Sequence, residues 1–157
     1  MQKITPSLWF DNQAEEAANF YISVFKNSKI VEVGRYSEAG PGPAGSVMVI
    51  SFELDGQLFS AINGGPEFVF SPAISFAVDC ESQEEVDYLW EKLTEGGAED
   101  PCGWLRDKYG VSWQIVPKVL TELLQDKDPA KVKRVTEAMF QMKKLDIKTL
   151  QDAYNQG

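Results

Sequence analysis

Apolar and polar positions along this chain follow two periods, and the switches between them divide it into elements. Ile4 to Phe10 alternates as a strand does, whereas Asp11 to Phe25 takes the spacing of an amphipathic helix, with Asp11 or Asn12 near its cap. Lys29 to Ser37, Ser46 to Leu54 and Gln57 to Ile62 return to strand character. Asp55-Gly56 joins the last two and predicts a tight hairpin, because such a turn needs positive φ at both central residues. The predicted order is β-α-β-β-β.

That order recurs. Ala73 to Val78 reads as a strand ending in Asp79, followed by Glu84-Glu85-Val86 and a helix to Leu93, as the first strand ends in Asp11 and is followed by Glu15-Glu16-Ala17 and its helix. Gly56 of the first tight turn matches Gly110 of Lys108-Tyr109-Gly110, which sets Leu58–Ala61 opposite Ser112–Ile115. Such a degenerate repeat predicts two copies of one unit, 1–66 and 70–117, paired in one domain over 1–117. Asn63-Gly-Gly-Pro66 through Pro72 reads as the connecting loop. A helical extension is predicted over 118–157: a short helix at Leu120, Leu123 and Leu124, a second begun by Asp128-Pro129 with Val132, Val135, Met139 and Met142 on one face, and a third from near Asp146. Those apolar stripes must cover something.

Composition narrows the partners. With 157 residues the chain can bury a core without staples. A net charge of -9 argues against nucleic acid and anionic membrane, which need clustered Lys and Arg; only Lys131, Lys133 and Arg134 cluster here. No signal core or membrane-length apolar run occurs, so the expected location is cytoplasmic. Cys80 and Cys102 stand in no zinc-type spacing, and histidine is absent.

Thr5–Asp11, Ala14–Ala17 with Phe20-Tyr21, Phe70–Phe76, the hairpin Cys102–Pro117, and the Asp128-Pro129 helix leading to Ile147 together resemble the vicinal-oxygen-chelate superfamily of glyoxalase and bleomycin-resistance proteins, and within it the PhnB-like, 3-demethylubiquinone-9 3-methyltransferase-like branch. The resemblance implies an α+β fold in which two βαβββ modules form a curved mixed sheet, here with added C-terminal helices. It also implies a metal on the concave face, held by His and Glu from the first and last strands of each module. Counting from each Asp and each turn Gly places those positions at Thr5, Ala73, Ser60 and Gln114. Hydroxyls, a methyl and an amide are poor donors for a divalent transition metal, so no metal or other cofactor is expected there. Asp11, Asn63 and Gln114 could offer oxygens to a hard cation.

Strand alternation turns Leu8 and Phe10 to the helices and leaves Thr5, Ser7 and Trp9 on the other face, with Ser60 and Ser75 on the matching strands. Trp104 and Arg106 share a face, as do Ser112 and Gln114, so an indole, a guanidinium and an amide could converge on a planar or anionic ligand. Equally, Arg106 could pair with an acidic neighbour, and Trp104 and Trp113 could be core. Cys102 is either a nucleophile or a small packed hydrophobe. Tyr36 and Arg35 either close over the cup or face solvent. In Gly40-Pro-Gly-Pro-Ala-Gly45 two prolines remove amide donors and no helix follows, so it reads as a hairpin loop or lid and not as a phosphate cradle. No Gly-rich strand-to-helix crossover of a nucleotide-binding domain is present, which counts against methyltransferase chemistry.

The expected function is a metal-independent, homodimeric small-molecule binding protein. The alternatives are a lyase, isomerase or transferase using the same cup, and an interaction module acting through the C-terminal helices.

Overall fold

A computed structural model describes residues 2–156. The chain divides into two compact units, one through Phe70 and the other from Ser71 onward. The first contains β1 (Ser7–Phe10), α1 (Ala14–Val24), β2 (Lys29–Arg35), β3 (Val47–Leu54) and β4 (Gln57–Asn63), in the spatial order β1-β4-β3-β2. The second contains β5 (Ser75–Cys80), α2 (Gln83–Thr94), β6 (Ala98–Glu99), β7 (Trp104–Arg106) and β8 (Ser112–Pro117), in the order β5-β8-β7-β6, followed by α3 (Lys118–Leu124), α4 (Pro129–Phe140) and α5 (Ile147–Asn155). Each sheet is mixed: its first strand pairs parallel to its last, and the remaining pairs are antiparallel. The fold is α+β, and both units have the predicted β-α-β-β-β order.

One face of each sheet is sealed by its helix. Ala14, Ala17, Ala18, Tyr21 and Val24 recur at helical spacing and are buried on α1. They meet the inward residues Ile50, Phe52 and Leu54 of β3 and Phe59 and Ala61 of β4, where Phe52 stacks on Phe59 at 5.6 Å. In the second unit Val86, Leu89, Trp90 and Leu93 of α2 cover Leu105, Trp113 and Ile115. Trp113 is core, and its indole N–H donates to the buried Asp107.

The cap of α1 departs from expectation. Neither Asp11 nor Asn12 caps it; the helix begins after Gln13, and the side chain of Asn63, at the far end of β4, accepts from Ala14 N at 2.8 Å. By contrast, Ser82 caps α2, Asp128 caps α4 with Pro129 in the first turn, and Asp146 caps α5. The Asp55-Gly56 turn has φ of 48° and 80°, the doubly positive geometry that its sequence predicts.

The three C-terminal helices form their own core of Leu120, Val135, Leu145 and Leu150, joined by Val116, Leu123, Met139, Met142 and Tyr154. Full burial of each such aliphatic side chain contributes about 1.5–3 kcal/mol. Their Leu and Met stripes therefore face one another and the end of β8. The basic residues are also engaged: Arg134 donates to the carbonyls of Ala153 and Tyr154, Lys131 lies 4.7 Å from the Tyr154 ring centre, and Lys133 pairs with Glu137.

Candidate functional site

Residues opposed across a sheet project to the same face. On the second sheet the register places Ser75, Ser112 and Arg106 in one row and Ala77, Gln114 and Trp104 in the next. Because Trp113, Ile115 and Leu105 point into the core, these rows occupy the face away from α2. Four of the predicted residues, Ser75, Trp104, Arg106 and Gln114, thus share that face, but they do not converge on one point. Gln114 Nε2 donates to Ser75 Oγ at 2.9 Å. Arg106 instead forks onto Asp100, with Nε–Oδ2 at 3.1 Å and Nη2–Oδ1 at 3.3 Å, so the acidic-neighbour reading describes it. Between them Ser112 Oγ is buried with no hydrogen-bond partner among the described residues.

A groove of about 460 Å³ opens where this face meets the C-terminal helices. Trp104, Gln114 and Val116 line it from the sheet, Pro101 and Cys102 from the mouth of the hairpin, and Leu120, Thr121, Leu124, Met139 and Phe140 from α3 and α4. The hairpin mouth is fastened to those helices. Cys102 N donates to Met142 O and Gly103 N to Lys143 O, both at 2.8 Å, while the Gln83 amide donates to Leu145 O and accepts from Ile147 N. Cys102 has a φ of 63° and is partly buried. Cys80 is fully buried, and burial, with Glu85, Asp79 and Glu81 adding, pushes its thiol up to about 12.

The helix side of the groove was missed from sequence, where the Leu and Met stripes suggested only a surface to be covered. A local signal did exist. Phe140 adjoins the α4 stripe of Val132, Val135 and Met139 without belonging to it, an aromatic beside a face that is otherwise polar.

In the first unit Thr5 precedes β1, and Ser7 lies opposite Ser60 on the face away from α1. Trp9 shares that face but is held by the following loop: its Nε1 donates to Gly65 O at 2.9 Å, Phe68 meets its ring edge-on, and a Cβ on Gly64 would lie 2.3 Å from the ring. A separate cavity of about 600 Å³ lies among Asp11, Glu15, Arg35, Tyr36, Asn63 and the 41–43 loop, and Thr5, Ser7, Trp9 and Ser60 do not line it. Here Tyr36 packs under Gly40 and Gly42 and donates to Asn63 O, and Arg35 donates to Gly45 O. Both side chains hold the Gly-Pro loop in place.

The strand positions do not fit a divalent transition metal. Counting from Asp11 and Asp79 pointed to Thr5 and Ala73, but both precede their strands, and the register opposes Ser7 to Ser60 and Ala77 to Gln114. β1 begins only after Pro6 and β5 only after the turn at 72–73, so Thr5 and Ala73 stand before the paired registers. No group of three or more His, Cys, Asp or Glu among the described residues is placed to hold a metal ion. Asn63 Oδ1, a suggested ligand for a hard cation, already accepts from Ala14 N.

Comparisons with known proteins agree with this architecture. The family model described as 3-demethylubiquinone-9 3-methyltransferase matches residues 2–116, so α3–α5 lie beyond it. The Bacillus cereus PhnB protein, described as a 3-demethylubiquinone-9 3-methyltransferase, is 45% identical with a TM-score of 0.67, over 74% of this chain and 99% of that one. A Pseudomonas aeruginosa protein of known structure is 19% identical with a TM-score of 0.64, over 75% of this chain and 98% of its own. The fosfomycin resistance protein FosX from Mesorhizobium loti, 16% identical with a TM-score of 0.54 over 80% of this chain and all of its own, shares the fold. No curated protein matches. By its family match and its 45% identity to the Bacillus protein, the chain belongs to the 3-demethylubiquinone-9 3-methyltransferase family.

Proposed function

We propose that this protein binds a small organic molecule in the groove between β7–β8 and α3–α4, without a divalent metal, and that it does so as a cytoplasmic homodimer. The observation that carries this reading is the groove itself: about 460 Å³, within the range of small-molecule sites, with an indole and an oriented amide on the sheet side. The metal-independent half rests on the donor set, since hydroxyls and a bonded amide neither neutralise a divalent ion nor bind it strongly. Binding is favoured over catalysis because Cys102 is the one thiol or titratable side chain among the described residues that line the groove, and no Lys, Arg or His stands beside it there to activate it. No helix among the described residues is long and apolar enough to cross a membrane. The dimer draws its support from the exposed Val31 and Val33 on the edge strand β2.

The test is native mass spectrometry with elemental analysis on untagged protein, since a histidine tag would add the imidazoles that the chain lacks. The expected species carries no stoichiometric divalent metal, and a retained organic mass protects Cys102 from alkylation. A stoichiometric metal, or a bound molecule that leaves Cys102 fully reactive, overturns the corresponding half of the reading.

A further inference from the structure

The cavity of about 600 Å³ beside the start of α1 lies wholly in the first unit and shares no residue with the groove. Three of its neutral polar side chains are already engaged. Asn63 accepts from Ala14 N and donates to Val47 O, Tyr36 donates to Asn63 O, and Ser46 donates to Pro43 O. Its charged side chains are not engaged with one another. The carboxylates of Asp11 and Glu15 accept no hydrogen bond and meet no cation among the described residues, although Arg35 lines the same cavity. Arg35 spends one N–H on Gly45 O at 3.0 Å, keeps its others, and has no carboxylate within 4.0 Å among those residues. Opposite charges therefore border one space without closing on each other. Two carboxylates against one guanidinium leave one negative charge in excess, and Pro41, Pro43 and Val47 add apolar lining.

We infer that this cavity is a second binding site, for a free dibasic amino acid of the lysine or ornithine type. Its carboxylate meets Arg35, its two ammonium groups meet Asp11 and Glu15, and its methylene chain packs against the two prolines and Val47. Two cations and one anion are the complement of the lining, so the ligand neutralises every charge that the cavity presents. The Arg35 fork suits a carboxylate, which it can hold by paired charge-assisted hydrogen bonds. Asp11, Glu15 and Arg35 are solvent-exposed, so each ion pair contributes little by itself and selectivity depends on making all three together. The site is independent of the groove, and neither reading rests on the other.

Calorimetry on the full-length protein at neutral pH and low salt tests the inference with lysine, with norleucine, which lacks the side-chain ammonium, and with cadaverine, which lacks the carboxylate. Lysine is expected to bind, with the other two each weaker by about fivefold or more. Arg35→Gln should weaken lysine and leave cadaverine unchanged, whereas Glu15→Gln should weaken both. Cadaverine binding as tightly as lysine would overturn the amino-acid class in favour of a polyamine, and norleucine binding as tightly would overturn the need for a second ammonium. Because Arg35 also holds the Gly-Pro loop, a loss in Arg35→Gln that falls equally on lysine and cadaverine would overturn the carboxylate contact. Lysine binding untouched by Glu15→Gln would reduce it to general attraction by an acidic chain, and no heat from lysine up to about 10 mM would remove the site.

Discussion

At the scale of single side chains, the heaviest structural demand falls on Asp107. Its buried carboxylate accepts from Tyr109 N, Val111 N and the Trp113 indole, and so fixes both the turn between β7 and β8 and the register of β8 beneath the groove. Asp107→Ala leaves those donors without their acceptor and should cost about 2–4 kcal/mol in denaturant unfolding. Ser112 presents the opposite case. Its hydroxyl is buried and unpartnered among the described residues, so Ser112→Ala should leave stability unchanged or raise it by up to about 1 kcal/mol; a clear loss would mean that the hydroxyl has a partner in solution. Cys80 links stability to pH. Its folded thiol is raised from the usual value of 9.0 to about 12, so between those values the native state binds more protons than the unfolded chain. Its contribution is therefore complete below pH 9 and is lost as pH rises towards 12, a slope that Cys80→Ala should remove from a pH series of melting curves.

At the scale of elements, the seam between the β7–β8 hairpin and the C-terminal helices decides whether the groove exists. Gly103 has a φ of 84°, and a Cβ there would lie 2.8 Å from Leu145 Cδ1 and 3.0 Å from Ile115 O. Gly103→Ala should thus destabilise by about 1–3 kcal/mol through both strain and overlap. Leu145→Ala in the same chain should relieve only the overlap, so a double-mutant cycle should return a favourable coupling, and none would mean that the two elements part in solution. This seam also shows how far the sequence could be read. The repeat, the turn glycines and the strand parity were legible because each depends on local chemistry: Asp55-Gly56 can make few other turns, and Leu8 and Phe10 must face one way if Ser7 and Trp9 face the other. The cap of α1 by Asn63, the diversion of Arg106 to Asp100, the holding of Trp9 by Gly65 and the seating of Leu145 on Gly103 were not legible as specific pairings. Each joins residues whose proximity is set by the folded path of the chain, and several acceptable partners exist for every one of them.

At the scale of the whole molecule, self-association depends on which apolar surface stays open. Leu120, Val135, Leu145 and Leu150 are buried among the C-terminal helices, whereas Met139 and Met142 are only partly covered and Phe140 is exposed, so these helices keep some apolar surface for a second copy to meet. A second candidate is the edge of the first sheet, where Val31 is 50% and Val33 37% exposed, and where a bulge between Ile30 and Glu32 takes Val31 out of the ladder. Apolar residues on an open strand edge favour edge-to-edge pairing unless charge prevents it. The net charge of -9 works against association, since two like-charged chains repel over roughly a Debye length, about 10 Å at 0.1 M salt. A dimer formed through this edge should therefore tighten as salt is raised from low concentration, the reverse of an interface held by ion pairs. Sedimentation equilibrium across a salt series should show that trend, and Val31→Lys with Val33→Lys should shift the mass towards monomer at every salt concentration while leaving the melting temperature of dilute protein nearly unchanged. Weakening by salt, or a dimer indifferent to the two lysines, would place the interface elsewhere; a mass independent of concentration at one chain would remove the dimer altogether.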